Sequence, residues 1–315
     1  MSELISIIMP VKNATEWLDE CIESIINQTH ENWELIAIDD HSTDDSLRKM
    51  QSWSHQDKRI HSELASGNGI IEALRQAHAL SKGEWLTRMD ADDIMPAFKL
   101  EMLFELLGSD KHTVSTGRVE YFSNASISEG YLDYQRWLNE RIERNDHWSW
   151  VYRECVLASA NWMTHTTNVS LDKSTYPEDY DLVFDWYKQA LEIKSTDKVT
   201  HMWREHQTRT SKTSENYGQQ AFFKLKLTRF LEIDYDPSRP LVILGKNKKS
   251  KLVADFLKKR GIRFEQIDLE IVHRLAELDN PQLLMAVYPA KILRDAMKEH
   301  LQQLNLVMGQ HWWWL

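Results

Sequence analysis

The chain has 315 residues and a mass of 37.2 kDa, enough for one large domain with a small companion or for two comparable ones. A formal net charge of -10, with 42% hydrophobic and 27% charged residues, describes a globular chain and argues against a nucleic-acid backbone as its main partner. Cys21 and Cys155 form no CxxC pair and no disulfide framework, and no apolar run reaches the roughly 20 residues that span a bilayer, so a reducing, cytoplasmic setting with at most peripheral membrane contact is expected. The opening MSELISIIMPVKN lacks the basic segment and long apolar core of a secretion signal. Thirteen tryptophans leave open a site that stacks sugar rings, against core packing as the plain alternative.

Leu4 to Met9 is an isoleucine-rich apolar run ending at Pro10, which reads as a strand buried on both faces of a parallel sheet. Asn13 is placed to cap the following helix, with Glu16 three positions on, and Leu18, Cys21, Ile22, Ile25 and Ile26 form its apolar stripe. Cys21 on that stripe reads as a buried structural thiol. Glu34 to Ile38 is a second buried strand, followed by Asp39, Asp40 and the helix-starting HSTDDS. Gly67 and Gly69 mark a loop, Ile70 to Leu80 a helix, and Gly83 its stop before the strand that ends in Asp90, Asp92 and Asp93.

This βαβ series predicts a ligand crevice at the carboxyl ends of the strands, where Pro10 to Asn13, Asp39 to Asp40 and Asp90 to Asp93 all fall. Asp90 and Asp92, two positions apart on a strand end, present two carboxylates on one face. Mg²⁺ binds such a pair with water and a substrate diphosphate completing its shell, whereas a solvated acidic turn is the alternative.

The run SIIMPVKN, then SIINQTHENWELIAIDDHSTDDS, then ALSKGEWLTRMDADD resembles family 2 glycosyltransferases of the GT-A fold over about the first hundred residues. The resemblance implies an α/β fold, a GT-A mixed sheet flanked by helices. It implies that Pro10, Val11, Asn13 and Asp40 contact a nucleotide base, that Asp90 lies near the ribose, and that Asp92 holds a Mg²⁺ or Mn²⁺ ion bridging the diphosphate. His41 stands where the family usually has glycine.

Further on, Val114 to Phe122 reads as a strand and Tyr131 to Ile142 as an amphipathic helix. The Trp-rich stretch from Trp148 to Trp162 is expected either at the acceptor side of the cleft or in aromatic packing. Pro177, Glu178 and Asp179 open a helix with Leu182, Val183, Trp186 and Tyr187 as its stripe. Acidic residues in a first turn are commonly dipole partners; the resemblance continues through Glu178 and Asp179 and implies that Asp179 is the general base of an inverting transfer. The segment VTHMWREHQTRTS carries His201, Arg204, His206, Arg209 and Ser211. By the same resemblance it lines the diphosphate pocket, with Arg204 on the nucleotide sugar and His201 completing the metal shell, a solvated polar strand being the alternative. Taken together, these segments resemble one bacterial subgroup that carries a C-terminal Rossmann-like domain.

Asp234 to Arg239 reads as a linker, giving expected domains of 1–235 and 236–315. Beyond it, strands at Leu241 to Leu244, Arg263 to Ile267 and Leu283 to Val287 alternate with helices at Ser250 to Arg260, Glu270 to Leu278 and Ala290 to Gln303. Only Gly245 precedes KNKKS, so the dinucleotide fingerprint is degenerate. Lys246, Lys248 and Lys249 are read as a solvated loop that could meet an anion. The ending HWWWL is expected to pack on this domain, on the first domain or on a second copy, with a membrane surface as the sharper alternative.

The expected function is metal-dependent, inverting transfer from a nucleotide-diphosphate sugar, taken to be UDP-linked, to a hydroxyl of a glycan or lipid-linked acceptor in bacterial surface polysaccharide synthesis. Two other classes are weighed: a catalytically silent sugar-nucleotide or glycan-binding scaffold, against which Asp92 and Asp179 stand together, and an NAD(P)-dependent C-terminal enzyme, against which the missing glycines stand. A glycosidase pair is disfavoured by the nucleotide-site blocks upstream.

Overall fold

The structure is a computed structural model describing residues 3–172, 174–209, 212, 214–268 and 274–315. It forms two compact units: the first comprises Met1–His147, Leu157–Ser174 and Glu178–Thr213, the second Trp148–Val156, Thr175–Pro177 and Ser214–Leu315. The second unit thus begins ahead of the linker read at Asp234 to Arg239. Among the described residues no helix is long and apolar enough to cross a membrane.

The first unit is built on a seven-stranded sheet of order β3-β2-β1-β4-β6-β5-β7. Its strands are β1 (Ile5–Val11), β2 (Trp33–Asp39), β3 (Ile60–Leu64), β4 (Trp85–Arg88), β5 (Thr113–Phe122), β6 (Met163–His165) and β7 (Glu192–Arg204). β1 pairs in parallel with β2 and β4, and β2 with β3, whereas β6 runs antiparallel to β4 and β5. β5 and β7 pair in parallel with a register shift at Gly117 to Val119. The isoleucine-rich β1 and the apolar β2 occupy central places and are buried along nearly their whole length, as continuous apolar runs require. β3 went unread in the sequence because IHSEL holds apolar residues only at its two ends and lies at the sheet edge.

The helices are α1 (Leu18–Ile26), α2 (Ser46–Gln56), α3 (Ile70–Leu80), α4 (Lys99–Leu107), α5 (Glu129–Arg144) and α6 (Glu178–Lys188). α1 buries Leu18, Cys21, Ile22 and Ile25, the expected stripe and thiol. Its cap differs from expectation: Trp17 stands at the N-cap without a side-chain hydrogen bond. Asn13 instead has a left-handed backbone, φ 50, and its Oδ1 accepts from Thr43 N at 2.8 Å, tying the β1 loop to the β2 loop. α5 completes β5 beyond the short β6: Gln135 Oε1 accepts from Tyr121 N at 2.6 Å and Asn139 Oδ1 from Val119 N at 3.0 Å. These side chains satisfy strand donors that have no neighbouring strand.

The second unit holds α7 (Gln219–Ile233), β8 (Leu241–Leu244), α8 (Lys248–Lys258), β9 (Glu265–Ile267), β10 (Gln282–Met285), α9 (Lys291–Gln303) and β11 (Trp312–Trp314). Its sheet is wholly parallel, of order β11-β10-β8-β9. The helix expected at Glu270 to Leu278 lies partly outside the described residues, and 274–277 form a short 3-10 helix. The aromatic ending is the edge strand β11, whose three tryptophans are each buried. Within this unit Trp313 meets Phe230 at 5.0 Å and Tyr152 at 6.4 Å between ring centroids, so the aromatic run is core material.

Candidate active site

The carboxyl ends of β1, β2 and β4 bring the expected residues to one edge of the first sheet. Val11 is buried and offers its backbone, its carbonyl accepting from Asp40 N at 2.7 Å. Asp40 Oδ1 accepts from Gly69 N at 2.7 Å, and Lys12 Nζ lies 3.3 Å from Oδ2. Asp39 Oδ2 accepts from Ser42 N at 2.9 Å, while its buried Oδ1 has no hydrogen-bond partner among the described residues. An open buried acceptor at a strand end is a place for an N–H donor of a ligand. His41 has φ 54, the left-handed region that glycine enters without cost. The departure from glycine therefore keeps the loop conformation, and His41 Nε2 sits 2.9 Å from Gly67 O.

The acidic cluster divides its three carboxylates among different partners. Asp90 Oδ1 accepts from Arg88 Nε at 2.7 Å and Oδ2 from Ser159 Oγ at 3.1 Å. Asp92 Oδ2 lies 2.8 Å from His206 Nε2, and the His206 ring packs against Trp17, tilted by 30° with centroids 3.9 Å apart. Burial pushes the Asp92 carboxyl up, but the His206 hydrogen bond and the nearby Arg209 and His206 charges outweigh it and hold it below the usual range. Asp93 is buried, its Oδ2 2.9 Å from His201 Nε2 and its Oδ1 accepting from Arg204 N at 2.8 Å. Burial first, then the charges of Asp92 and Asp90, raise its carboxyl well above the ordinary range.

His201 is a correction. It is fully buried with Nε2 on Asp93 and Nδ1 3.3 Å from Lys99 Nζ, so neither ring nitrogen is open to an ion. Burial, and then Lys99, depress its proton affinity far below the usual imidazole range. Lys99 donates to Ala160 O at 2.6 Å, and burial lowers it to about 7. Arg204, expected on the nucleotide sugar, is engaged by protein groups. Its Nε donates to Asp92 O at 2.7 Å, its Nη2 pairs with Glu20 Oε2 at 2.5 Å, and its guanidinium lies over the Phe122 ring. Arg209 is a partly buried cation whose charge reaches Asp92 and Asp93; its guanidinium lies 5.2 Å from the centroid of Trp203. Ser211 lies outside the described residues. Trp17, Arg88 and Lys99 carried no sequence signal of their own, since each acquires its place only through residues remote in the chain.

α6 begins at Glu178 and brings Glu178 and Asp179 to a small crevice also lined by Ile8, Leu74, Arg88, Ser159 and Trp162. Arg88 Nη1 donates to Glu178 Oε1 at 3.1 Å, so one buried guanidinium links Asp90 to the start of α6. Asp179 is open to the crevice on one side and surrounded by protein on the others. Burial, reinforced by Glu178 and partly offset by Arg88, raises its carboxyl to about 7. A carboxyl so poised can exchange a proton near neutrality. Trp162 packs edge-on against Trp186 at 5.1 Å, which favours packing for that tryptophan.

The donor set at Asp92 suits a hard divalent cation: a carboxylate oxygen and an imidazole nitrogen lie side by side, and no third histidine, cysteine or acid completes a protein cage among the described residues. Two protein ligands leave room for water and phosphate oxygens, and the imidazole beside the carboxylate suits a divalent ion that accepts nitrogen as well as oxygen.

Residues 6–160 match the family described as glycosyl transferase family 2. The glycosyltransferase GlyG of Streptococcus pneumoniae is 38% identical over 108 residues, covering 33% of this chain and 35% of its own. The Escherichia coli protein WfgD, named as a UDP-Glc:alpha-D-GlcNAc-diphosphoundecaprenol beta-1,3-glucosyltransferase, is 32% identical over 143 residues, 45% of this chain and 56% of its own. The chain therefore spans between about a third and somewhat over half of the length of these relatives. The crystal structure of Staphylococcus aureus TarS 1-349 in complex with UDP-GlcNAc matches 81% of this chain and 72% of its own with a TM-score of 0.56 at 16% identity, a likeness of fold. Over residues 6–160, just under half of its length, the chain is thus similar to glycosyl transferase family 2.

Proposed function

We propose that this protein transfers a sugar, with inversion, from a UDP-sugar to a hydroxyl of a glycan or lipid-linked acceptor in bacterial surface polysaccharide synthesis. The observation that carries the reading is Asp179, a carboxyl raised to about 7 in a crevice tied through Arg88 to the Asp90 end of the acidic cluster. WfgD, whose name gives a UDP-Glc donor and a diphosphoundecaprenol-linked acceptor, and TarS with bound UDP-GlcNAc support the donor and acceptor classes.

In this reading the backbone of Pro10 and Val11, with Asn13, Asp40 and the open Asp39 Oδ1, holds the base, and Asp90 faces the ribose. Asp92 and His206 would hold Mg²⁺ or Mn²⁺, which when bound supplies positive charge to the departing diphosphate. Arg209 adds a fixed guanidinium on the same side. Asp179 accepts the proton of the acceptor hydroxyl as its oxygen attacks the anomeric carbon. The test is a thermal-shift screen of nucleotide sugars with and without Mn²⁺, followed by product stereochemistry. Stabilisation selective for one UDP-sugar is expected through linkage; no response to any nucleotide overturns the reading.

A further inference from the structure

We propose that the second unit carries an anion site of its own, for a phosphate-bearing ligand, at the carboxyl edge of its sheet between β8 and β10, with Arg153, Lys249 and Arg294 as the binding cations. The topology marks the place. The chain leaves β8 to form β9 on one side and returns to form β10 on the other, so the adjacent β8 and β10 are the switch point of an open parallel sheet. Ligands of such sheets settle outside the carboxyl ends at that point.

The side chains collected there are cationic. Tyr288, just beyond β10, has the Arg153 guanidinium 4.2 Å and the Arg294 guanidinium 4.1 Å from its ring centroid. Lys249 lies in the first turn of α8, directly after β8, close enough to Arg153 to feel its charge, and makes no ion pair among the described residues. Among the described residues the acid paired with Arg153 is Glu154, at 3.4 Å, whose charge also reaches Lys249. Arg153 Nε is buried without a hydrogen-bond partner among the described residues. Lys226 adds a further buried cation, donating to Arg153 O at 2.8 Å, and burial pushes it down to about 8. Like charges gathered over an apolar sheet edge repel one another, and an anion relieves that repulsion.

The ligand is not a dinucleotide. A dinucleotide lays its pyrophosphate against a bare glycine backbone, but at Gly245 the space a Cβ would take is filled by Val287 Cγ1, 2.3 Å away. Side chains, not the backbone cradle, are what this edge offers. That fits a terminal phosphate or diphosphate group, which forked guanidinium donors grip from the side.

The test is calorimetric titration of the full chain with inorganic phosphate and pyrophosphate in EDTA, which suppresses metal-dependent binding in the first unit, at ionic strength held constant with chloride. Saturable binding to the wild type is expected, weakened about tenfold or more in Arg153→Gln and Arg294→Gln. Lys249→Gln, on a half-exposed first helical turn, gives the same readout should either arginine variant fail to fold. Affinity unchanged in the folded variants overturns the proposal. In parallel, the chain is sedimented with phosphatidylcholine vesicles with and without phosphatidic acid. Retention on phosphatidic acid that is lost in the variants assigns the phosphate to a lipid headgroup, and binding of soluble phosphate alone assigns it to a free phosphorylated compound. Binding in neither arm overturns the site.

Discussion

His206 Nε2 lies 2.8 Å from Asp92 Oδ2, while His201, five residues earlier, turns its Nε2 to Asp93 at 2.9 Å. Adjacent aspartates therefore carry different imidazoles. One pair keeps part of its surface in solvent, and the other is sealed in the core, with His201 fully buried.

The first prediction separates these pairs. Asp92→Asn and His206→Ala should weaken Mn²⁺ binding in the presence of UDP by on the order of 10- to 100-fold, measured by calorimetry. His201→Gln should leave the metal isotherm nearly unchanged and lower the melting temperature, because Asp93 and Lys99 lose a buried partner. A metal isotherm that responds to His201 and ignores His206 would reverse the assignment.

The second concerns pH. With its carboxyl raised from 3.8 to about 7, Asp179 holds a proton below neutrality, so kcat/KM should fall below about pH 7 with unit slope. Asp179→Asn should reduce transfer by about 10²- to 10⁴-fold while leaving donor binding nearly intact. The sign for stability is opposite. The raised carboxyl contributes stability that is full below its unfolded pKa and is lost as pH rises through about 7. Urea denaturation at pH 5 and pH 8 should thus show a smaller pH difference in Asp179→Asn than in wild type.

Arg88 is the third. Its guanidinium is buried between Asp90 and Glu178, and removing one partner of a buried ion network leaves uncompensated charge. Arg88→Gln should cost about 3 kcal/mol or more in urea denaturation. Loss of no more than a few tenths would mean that these carboxylates find other partners.

Gly83 gives a test of the scaffold alone. A Cβ there would stand 2.6 Å from Leu4 O and 2.8 Å from Ser6 N, both backbone atoms of the strand start beside β4. Gly83→Ala should lower stability by about 1–3 kcal/mol through forced backbone movement, read as a shift in denaturation midpoint.

The sequence by itself determined the parallel core of the first unit, because β1 and β2 are continuous apolar runs flanked by amphipathic stripes, and local patterning suffices for elements buried that way. It also singled out Asp40, Asp92 and Asp179 as candidates, since strand ends and helix starts are marked by abrupt changes from apolar to acidic residues. What it could not settle was pairing over distance. Edge strand β3 and the three-residue β6 have too little apolar periodicity to be read. The choice between His201 and His206 depends on a strand that buries one ring beside Lys99, 102 residues away, and releases the other beyond its end. The aromatic ending likewise reads as packed without its partner being legible, and β10 supplies the neighbour that buries it. Apolar and acidic residues declare their surroundings through hydration alone, but an imidazole or a guanidinium takes its role from the partner it meets, and only the tertiary structure supplies that partner.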